Sequence, residues 1–257
     1  MLISVRELAG RLSEKDLIII DCRSYKEYSE GHIPGAVNLD LFAFHWFDTS
    51  ESGIEGFDAQ TRQIFSFVGV TNNKMVVFYD GVSGMLAARG VWMLLYFSHK
   101  NVAMLDGGLK KWQAEGLEIQ TKTNGYSPAK FDGKPSSNLL ASYEYIRKNL
   151  GKLILIDARS REEYSGDVIR GSRRGHIPGA INVDFNLNIS DDGTFKDEGS
   201  LSALYKIPKD SQIVTYCQGA YRAANSFVAL KKLGFENVRV YLGSWGEWSN
   251  RTELPVE

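Results

Sequence analysis

Short runs of β-branched and apolar residues at 17–20, 75–79, 153–156 and 212–216 alternate with segments in which apolar residues recur at helical spacing, such as 85–97 and 222–233. Strand-like runs separated by helical ones predict α/β layers with parallel strands, because a crossover to a parallel neighbour needs a helix-length connection. The last of these helical segments carries its own stop signal: Lys231-Lys232 fall in the final turn and Gly234 follows Leu233. In small open sheets covered by helices, ligands sit at the carboxyl ends of the strands. The run Ile213-Val214-Thr215-Tyr216 ends at such a place, and the next residue is Cys217.

The pattern occurs twice. Leu17-Ile18-Ile19-Ile20-Asp21-Cys22-Arg23-Ser24, Glu27-Tyr28 and Gly31-His32-Ile33-Pro34-Gly35-Ala36 recur as Leu153-Ile154-Leu155-Ile156-Asp157-Ala158-Arg159-Ser160, Glu163-Tyr164 and Gly175-His176-Ile177-Pro178-Gly179-Ala180. A repeat spacing of about 136 positions is one domain's length and far too long for a solenoid, so the chain reads as a duplication. A polar stretch at 121–130, punctuated by Gly125 and Pro128, reads as the linker. Two domains are expected, 1–125 and 126–257. The segments 48–53 and 188–193 read as loops, either at a domain interface or simply on the surface.

Further along, Met75-Val76-Val77-Phe78-Tyr79-Asp80 aligns with Gln212-Ile213-Val214-Thr215-Tyr216-Cys217, and Asp106-Gly107-Gly108 with Leu242-Gly243-Ser244. The first copy therefore offers Asp80 where the second offers Cys217, on a loop one residue longer before the matching Ala-Ala pair. A carboxylate cannot accept or pass on a sulfur atom, so only the second copy is armed. A thiolate on a strand-to-helix loop is favoured by the unpaired N–H groups of the helix start, which would also hold an anionic substrate. On this reading the N–H groups of Gln218, Gly219, Ala220, Tyr221 and Arg222 form a rim around the sulfur, with Gly219 needed where a Cβ would obstruct the cradle. Tyr221 either walls the pocket or packs. Arg222 either binds the donor or pairs with a carboxylate.

These residues resemble those of a known family. The two Gly-His-Ile-Pro-Gly-Ala segments, the Asp80 position, Asp106-Gly107-Gly108-Leu109-Lys110-Lys111-Trp112 and the Cys217 loop are together similar to the tandem-domain rhodanese family, the thiosulfate and 3-mercaptopyruvate sulfurtransferases. The resemblance covers nearly the whole chain. It implies two rhodanese-like domains, a site in the C-terminal half beside the interdomain cleft, and no cofactor. Sulfur would pass from a small anionic donor to cyanide or a thiol through a persulfide on Cys217. Relatives also carry a substrate-binding arginine shortly before Gly-His-Ile-Pro-Gly-Ala. Arg170 is nearest that place, with Arg173 or Arg174 as substitutes, and a solvated basic loop is the plain alternative. The family's second arginine is replaced here by Glu163.

Thiosulfate is the favoured donor, because a cationic Arg222 suits a small dianion better than a keto acid. Alternatives are 3-mercaptopyruvate, a non-catalytic sulfur-carrier module, and a phosphatase of the same fold. The last is disfavoured because the four residues between Cys217 and Arg222 are one fewer than a phosphate-sized cradle uses.

Composition narrows the partners. With 257 residues, 43% hydrophobic and 24% charged, each half can bury a core without disulfides or metal, and a net charge of −1 gives no bulk attraction to nucleic acid or membrane. The N-terminus is charged too soon for a secretory signal, and a cytoplasmic address is expected, where a thiol stays reduced. Cys22 reads as a small core thiol. His32 and His176 recur in both copies, armed and unarmed, and so read as structural. His45 and His99 lack partners at metal-ligand spacing, although His45-Trp46, in the first half's long connection, could reach the cleft.

Overall fold

The computed structural model describes residues 1–257. Each half builds one five-stranded parallel sheet. In the first, β1 (Leu2–Ile3), β2 (Leu17–Asp21), β3 (Val37–Asn38), β4 (Met75–Tyr79) and β5 (Val102–Leu105) lie in the order β1-β5-β4-β2-β3. In the second, β6 (Leu140–Ala141), β7 (Ile154–Asp157), β8 (Ile181–Asn182), β9 (Ile213–Tyr216) and β10 (Val238–Tyr241) lie in the order β6-β10-β9-β7-β8. The two orders correspond strand for strand, so the duplication read in the sequence is also a duplication of topology. The chain forms two compact units, 1–44 with 58–135 and 189–195, and 45–57 with 136–188 and 196–257. Each repeat lends one short segment to the other's unit, and the polar stretch 121–130 runs within the first.

Strands β2, β4, β7 and β9 form where the apolar runs predict them, and β5 and β10 join them outside those runs. The helices Met85–Tyr96 and Tyr221–Lys232 follow directly, the second ending at Gly234, whose φ of 81° accommodates the reversal. The segment 48–53 is a loop only in part. Ser50 accepts the Gly53 N–H at 3.1 Å and caps a helix, Glu51–Val68, that the glycines at 53 and 56 hide from a propensity reading. The two-residue strands are likewise silent in the sequence, because pairing with distant partners defines them.

Both cores are built on the carboxyl halves of the central strands: Val77, Tyr79, Leu105 and Trp112 in one unit, Val214, Tyr216, Tyr241, Trp245 and Trp248 in the other. Within each lies a buried ion pair that explains the repeated motif. Asp157, fully buried, takes Arg159 in a fork at 3.0 and 2.6 Å, and the same guanidinium donates to the Gly175 carbonyl at 2.9 Å. Asp21, Arg23 and Gly31 repeat the arrangement, the arginine donating at 3.0, 2.6 and 2.8 Å. Asn182 and Asn38 close it, each donating to the carbonyls of that Asp and Arg. His176 stacks on Tyr164 and His32 on Tyr28, both with centroids 3.7 Å apart and Nδ1 at the tyrosine carbonyl, which accounts for a histidine in each copy.

Arg159→Ala leaves Asp157 charged, buried and unpaired. A loss of about 3–5 kcal/mol is expected, read as a lower midpoint in urea unfolding.

Candidate active site

Cys217 is the first residue beyond β9 and is 1% exposed. Strand β9 is positioned by Tyr216, whose hydroxyl accepts the Ile177 N–H at 3.2 Å beside the Asp157–Arg159 pair. Beyond the cysteine the chain reverses at Ala220, a non-glycine residue at φ 66°, and enters the helix at Tyr221. A left-handed alanine costs about 1 kcal/mol and persists only where neighbours impose it.

The neighbour is Ser244, itself at φ 52°. Its hydroxyl accepts the Cys217 N–H at 3.2 Å and the Ala220 N–H at 3.0 Å, while donating to the Tyr241 carbonyl at 2.8 Å. The next two amides, of Trp245 and Gly246, donate to the carbonyls of Cys217 and Gln218 at 2.8 and 2.9 Å. The loop is thus clamped from one side by the turn after β10. This corrects one expectation: the Ala220 N–H does not join a rim around the sulfur, because Ser244 holds it. Ser244 went unread in the sequence although it left a signal, since the first copy has Gly108, at φ 55°, in the corresponding place.

The first unit displays what such a loop does to an anion. The Asp80 carboxylate accepts N–H groups from Gly84 at 3.0 Å, Leu86 at 3.0 Å and Ala87 at 3.1 Å at the start of helix Met85–Tyr96. Burial pushes its pKa up to about 6 despite those amides. By the repeat alignment, Leu86 and Ala87 correspond to Arg222 and Ala223, which lie at the start of the helix Tyr221–Lys232. One copy fills its cradle with its own carboxylate; the other places a thiol there.

The side chains differ more from expectation. Gly219 does not need a left-handed backbone; its missing Cβ makes room for Phe47, which would stand 3.1 Å from such an atom. Tyr221 is buried, and the His45 ring lies against it with centroids 5.1 Å apart. His45 and Phe47 belong to the lent segment 45–57, and only the tertiary fold brings them to the loop. The Gln218 amide donates to the Arg170 carbonyl at 3.1 Å, leaving its own oxygen buried without a partner.

The arginines separate by role. Arg222 is held by Glu163 in a two-bonded pair at 2.5 and 3.0 Å, so the carboxylate option is the one realised. Burial opposes the charge on both, but the mutual bonds prevail, raising the arginine and lowering the glutamate. Arg170 lies 3.7 Å from the same carboxylate with its side chain 64% exposed. Arg173 donates to the carbonyls of Trp248, Ser249, Arg251 and Leu254 and is a structural tie. Arg174 is exposed.

The Rhodanese-like domain model matches the chain twice, at residues 4–115 and 142–251. Among curated proteins, the chain is 31% identical to thiosulfate sulfurtransferase of Pseudomonas aeruginosa, over 100% of this chain and 97% of that one. It is 34% identical to a probable 3-mercaptopyruvate sulfurtransferase of the same organism, over 99% and 97%. Among solved structures, the anaerobic ergothioneine biosynthesis enzyme of Chlorobium limicola superposes with a TM-score of 0.88 at 22% identity, covering 100% of this chain and 69% of that chain, which shows a shared fold.

Two outcomes follow from the loop geometry. Ser244→Ala strands two buried N–H groups and is expected to cost about 1–3 kcal/mol, together with a loss of Cys217 reactivity in a timed iodoacetamide assay. Asp80 has a folded pKa above its ordinary value, so its favourable contribution is present at low pH and lost as pH rises through about 6. Relative to Asp80→Asn, the natural protein is expected to gain about 1 kcal/mol of stability between pH 7 and pH 5, measured by urea unfolding at both.

Proposed function

From its membership of the rhodanese family, to which both halves of the chain belong, we propose that this sulfurtransferase carries sulfur on Cys217 and takes it from thiosulfate. The observation that carries the reading is the loop comparison: identical placement at a strand end and helix start, with an anion already cradled by amides in the copy that lacks the thiol.

The Cys217 thiolate attacks the outer sulfur of thiosulfate, the S–S bond of the donor breaks, and sulfite leaves with the bonding pair. The persulfide retains one added sulfur. Cyanide or a thiolate then attacks that outer sulfur, and Cys217 departs as thiolate. Amides of the helix start stabilise negative charge through both displacements. The Ser244 clamp keeps the backbone around the sulfur in one conformation, so little reorganisation accompanies the transfer. Gln218, Gly219 and Tyr221 shape the loop, while Arg222 and Arg170 supply the cations near it.

Glu163 neutralises Arg222, so that cation does not favour thiosulfate, and what supports this donor is the relative named for it. This pairing supports 3-mercaptopyruvate as a second reading, since a monoanion asks less positive charge of the site. Phosphoester hydrolysis gains nothing, as Glu163, the carboxylate paired beside the loop, is held by Arg222 and so not offered as a general acid.

Incubation with thiosulfate should add about 32 Da to the intact protein and yield thiocyanate once cyanide is supplied. Cys217→Ser is expected to abolish both, and Asp80→Ala to leave turnover nearly intact. Thiocyanate production surviving Cys217→Ser would overturn the assignment, and parallel assays with the two donors decide between them.

A further inference from the structure

We propose that Glu163 is a specificity-determining residue: a resident carboxylate that occupies Arg222 and so weakens donor binding more for each negative charge the donor carries. The inference rests on Cys217 being the sulfur-carrying residue.

The duplication supplies the control. In the first unit the residue equivalent to Glu163 is Glu27, which only caps its own helix, accepting from the Ser24 amide at 3.2 Å and the Ser24 hydroxyl at 2.6 Å. The position equivalent to Arg222 holds Leu86. In the second unit the capping role persists weakly, with the Ser160 amide 3.5 Å away, while both carboxylate oxygens have turned to Arg222. The ion pair therefore exists only in the copy whose strand-to-helix loop carries the cysteine. Local helix chemistry does not demand it, because Glu27 satisfies the same capping box without any arginine.

The pair also sits where its charge matters. Glu163 is 3% exposed and the Arg222 side chain 15%, so solvent screens them little. A negative charge on Cys217 lies within electrostatic reach of Arg222 across the loop. Around the carboxylate stand Arg222 and Arg170; around Arg222 stand Glu163, Cys217 and, further off, Asp157, itself forked to Arg159. Two cations thus face one carboxylate and the sulfur that ionises to react, and with that sulfur charged the cluster is neutral before any donor binds. A donor gains from Arg222 only what Glu163 has not already taken, and a dianion loses twice what a monoanion does.

Glu163→Gln keeps the shape and one acceptor for Arg222 while removing the charge. The expected result is a thiosulfate KM lowered about tenfold and a 3-mercaptopyruvate KM lowered about threefold, with kcat changed less than about twofold. The pH midpoint for iodoacetamide alkylation of Cys217 should fall as well, a readout that needs no donor and that a merely structural glutamate would not move. Should Glu163→Gln fail to fold, the double variant Glu163→Gln/Arg222→Gln removes both charges and leaves no lone buried ion. Its ratio of the two KM values is expected to match the natural protein. An unchanged ratio in the single variant, or a thiosulfate KM raised about tenfold or more in the double, overturns the proposal. If the natural protein turns over neither donor, the Cys217 reading fails separately, and the alkylation midpoint still reports on Glu163.

Discussion

The buried Asp157–Arg159 fork is the constraint on which the second unit is assembled. An ionised carboxylate at the end of a central strand is tolerable only if its charge is met, and Arg159 meets it while reaching on to the Gly175 carbonyl. That single guanidinium joins the strand β7 to the Gly-His-Ile-Pro-Gly-Ala turn. Asn182 then takes the remaining carbonyls, and the Tyr216 hydroxyl takes the amide of Ile177. The residue after Tyr216 is Cys217, so the placement of the sulfur is inherited from an ion pair that never touches it. Arg159 also lies 4.7 Å from the Trp245 ring, in the helix whose first residue, Ser244, clamps the loop.

Duplication has been put to two uses. The shared frame, Asp-x-Arg with its turn and asparagine, is maintained at matching distances in both units, as the demands of a buried charge require. The loops at the ends of β4 and β9 have diverged. Where Asp80 fills the cradle, the carboxylate is part of the chain and the turn beside it uses Gly107-Gly108; where Cys217 stands, Ser244 substitutes a hydroxyl that holds two amides in place. The lent segments diverge too. Residues 189–195 bind backbone to backbone in the first unit, Ser83 donating to the Gly193 carbonyl at 2.7 Å, whereas 45–57 brings the His45 and Phe47 rings to the Cys217 loop.

Electrostatic balance near Cys217 follows from burial as much as from composition. Arg222 taken alone suggests a cation waiting for a donor, yet at that depth an unpaired guanidinium is costly, and Glu163 relieves it. Arg173 illustrates the same rule by another route: four backbone carbonyls at a chain reversal absorb its donors, which removes it from the chemistry. Of three arginines within five residues of one another, Arg170 alone combines exposure with nearness to the loop carboxylate.

Much of this was readable from one-dimensional pattern. Strands β2, β4, β7 and β9, the duplication, the stop at Gly234 and the contrast of Asp80 with Cys217 at matching strand ends all follow from local periodicity or from comparing one half with the other, because such features depend on neighbours in sequence. The partner chosen by Arg222, the clamp made by Ser244, the reason for Gly219 and the arrival of His45 and Phe47 did not. Each joins residues far apart in the chain, as with Phe47 over Gly219, and the sequence names only the candidates for such contacts. Burial decides among them, since it sets which charge must be neutralised, which amide must be bonded and which Cβ has room.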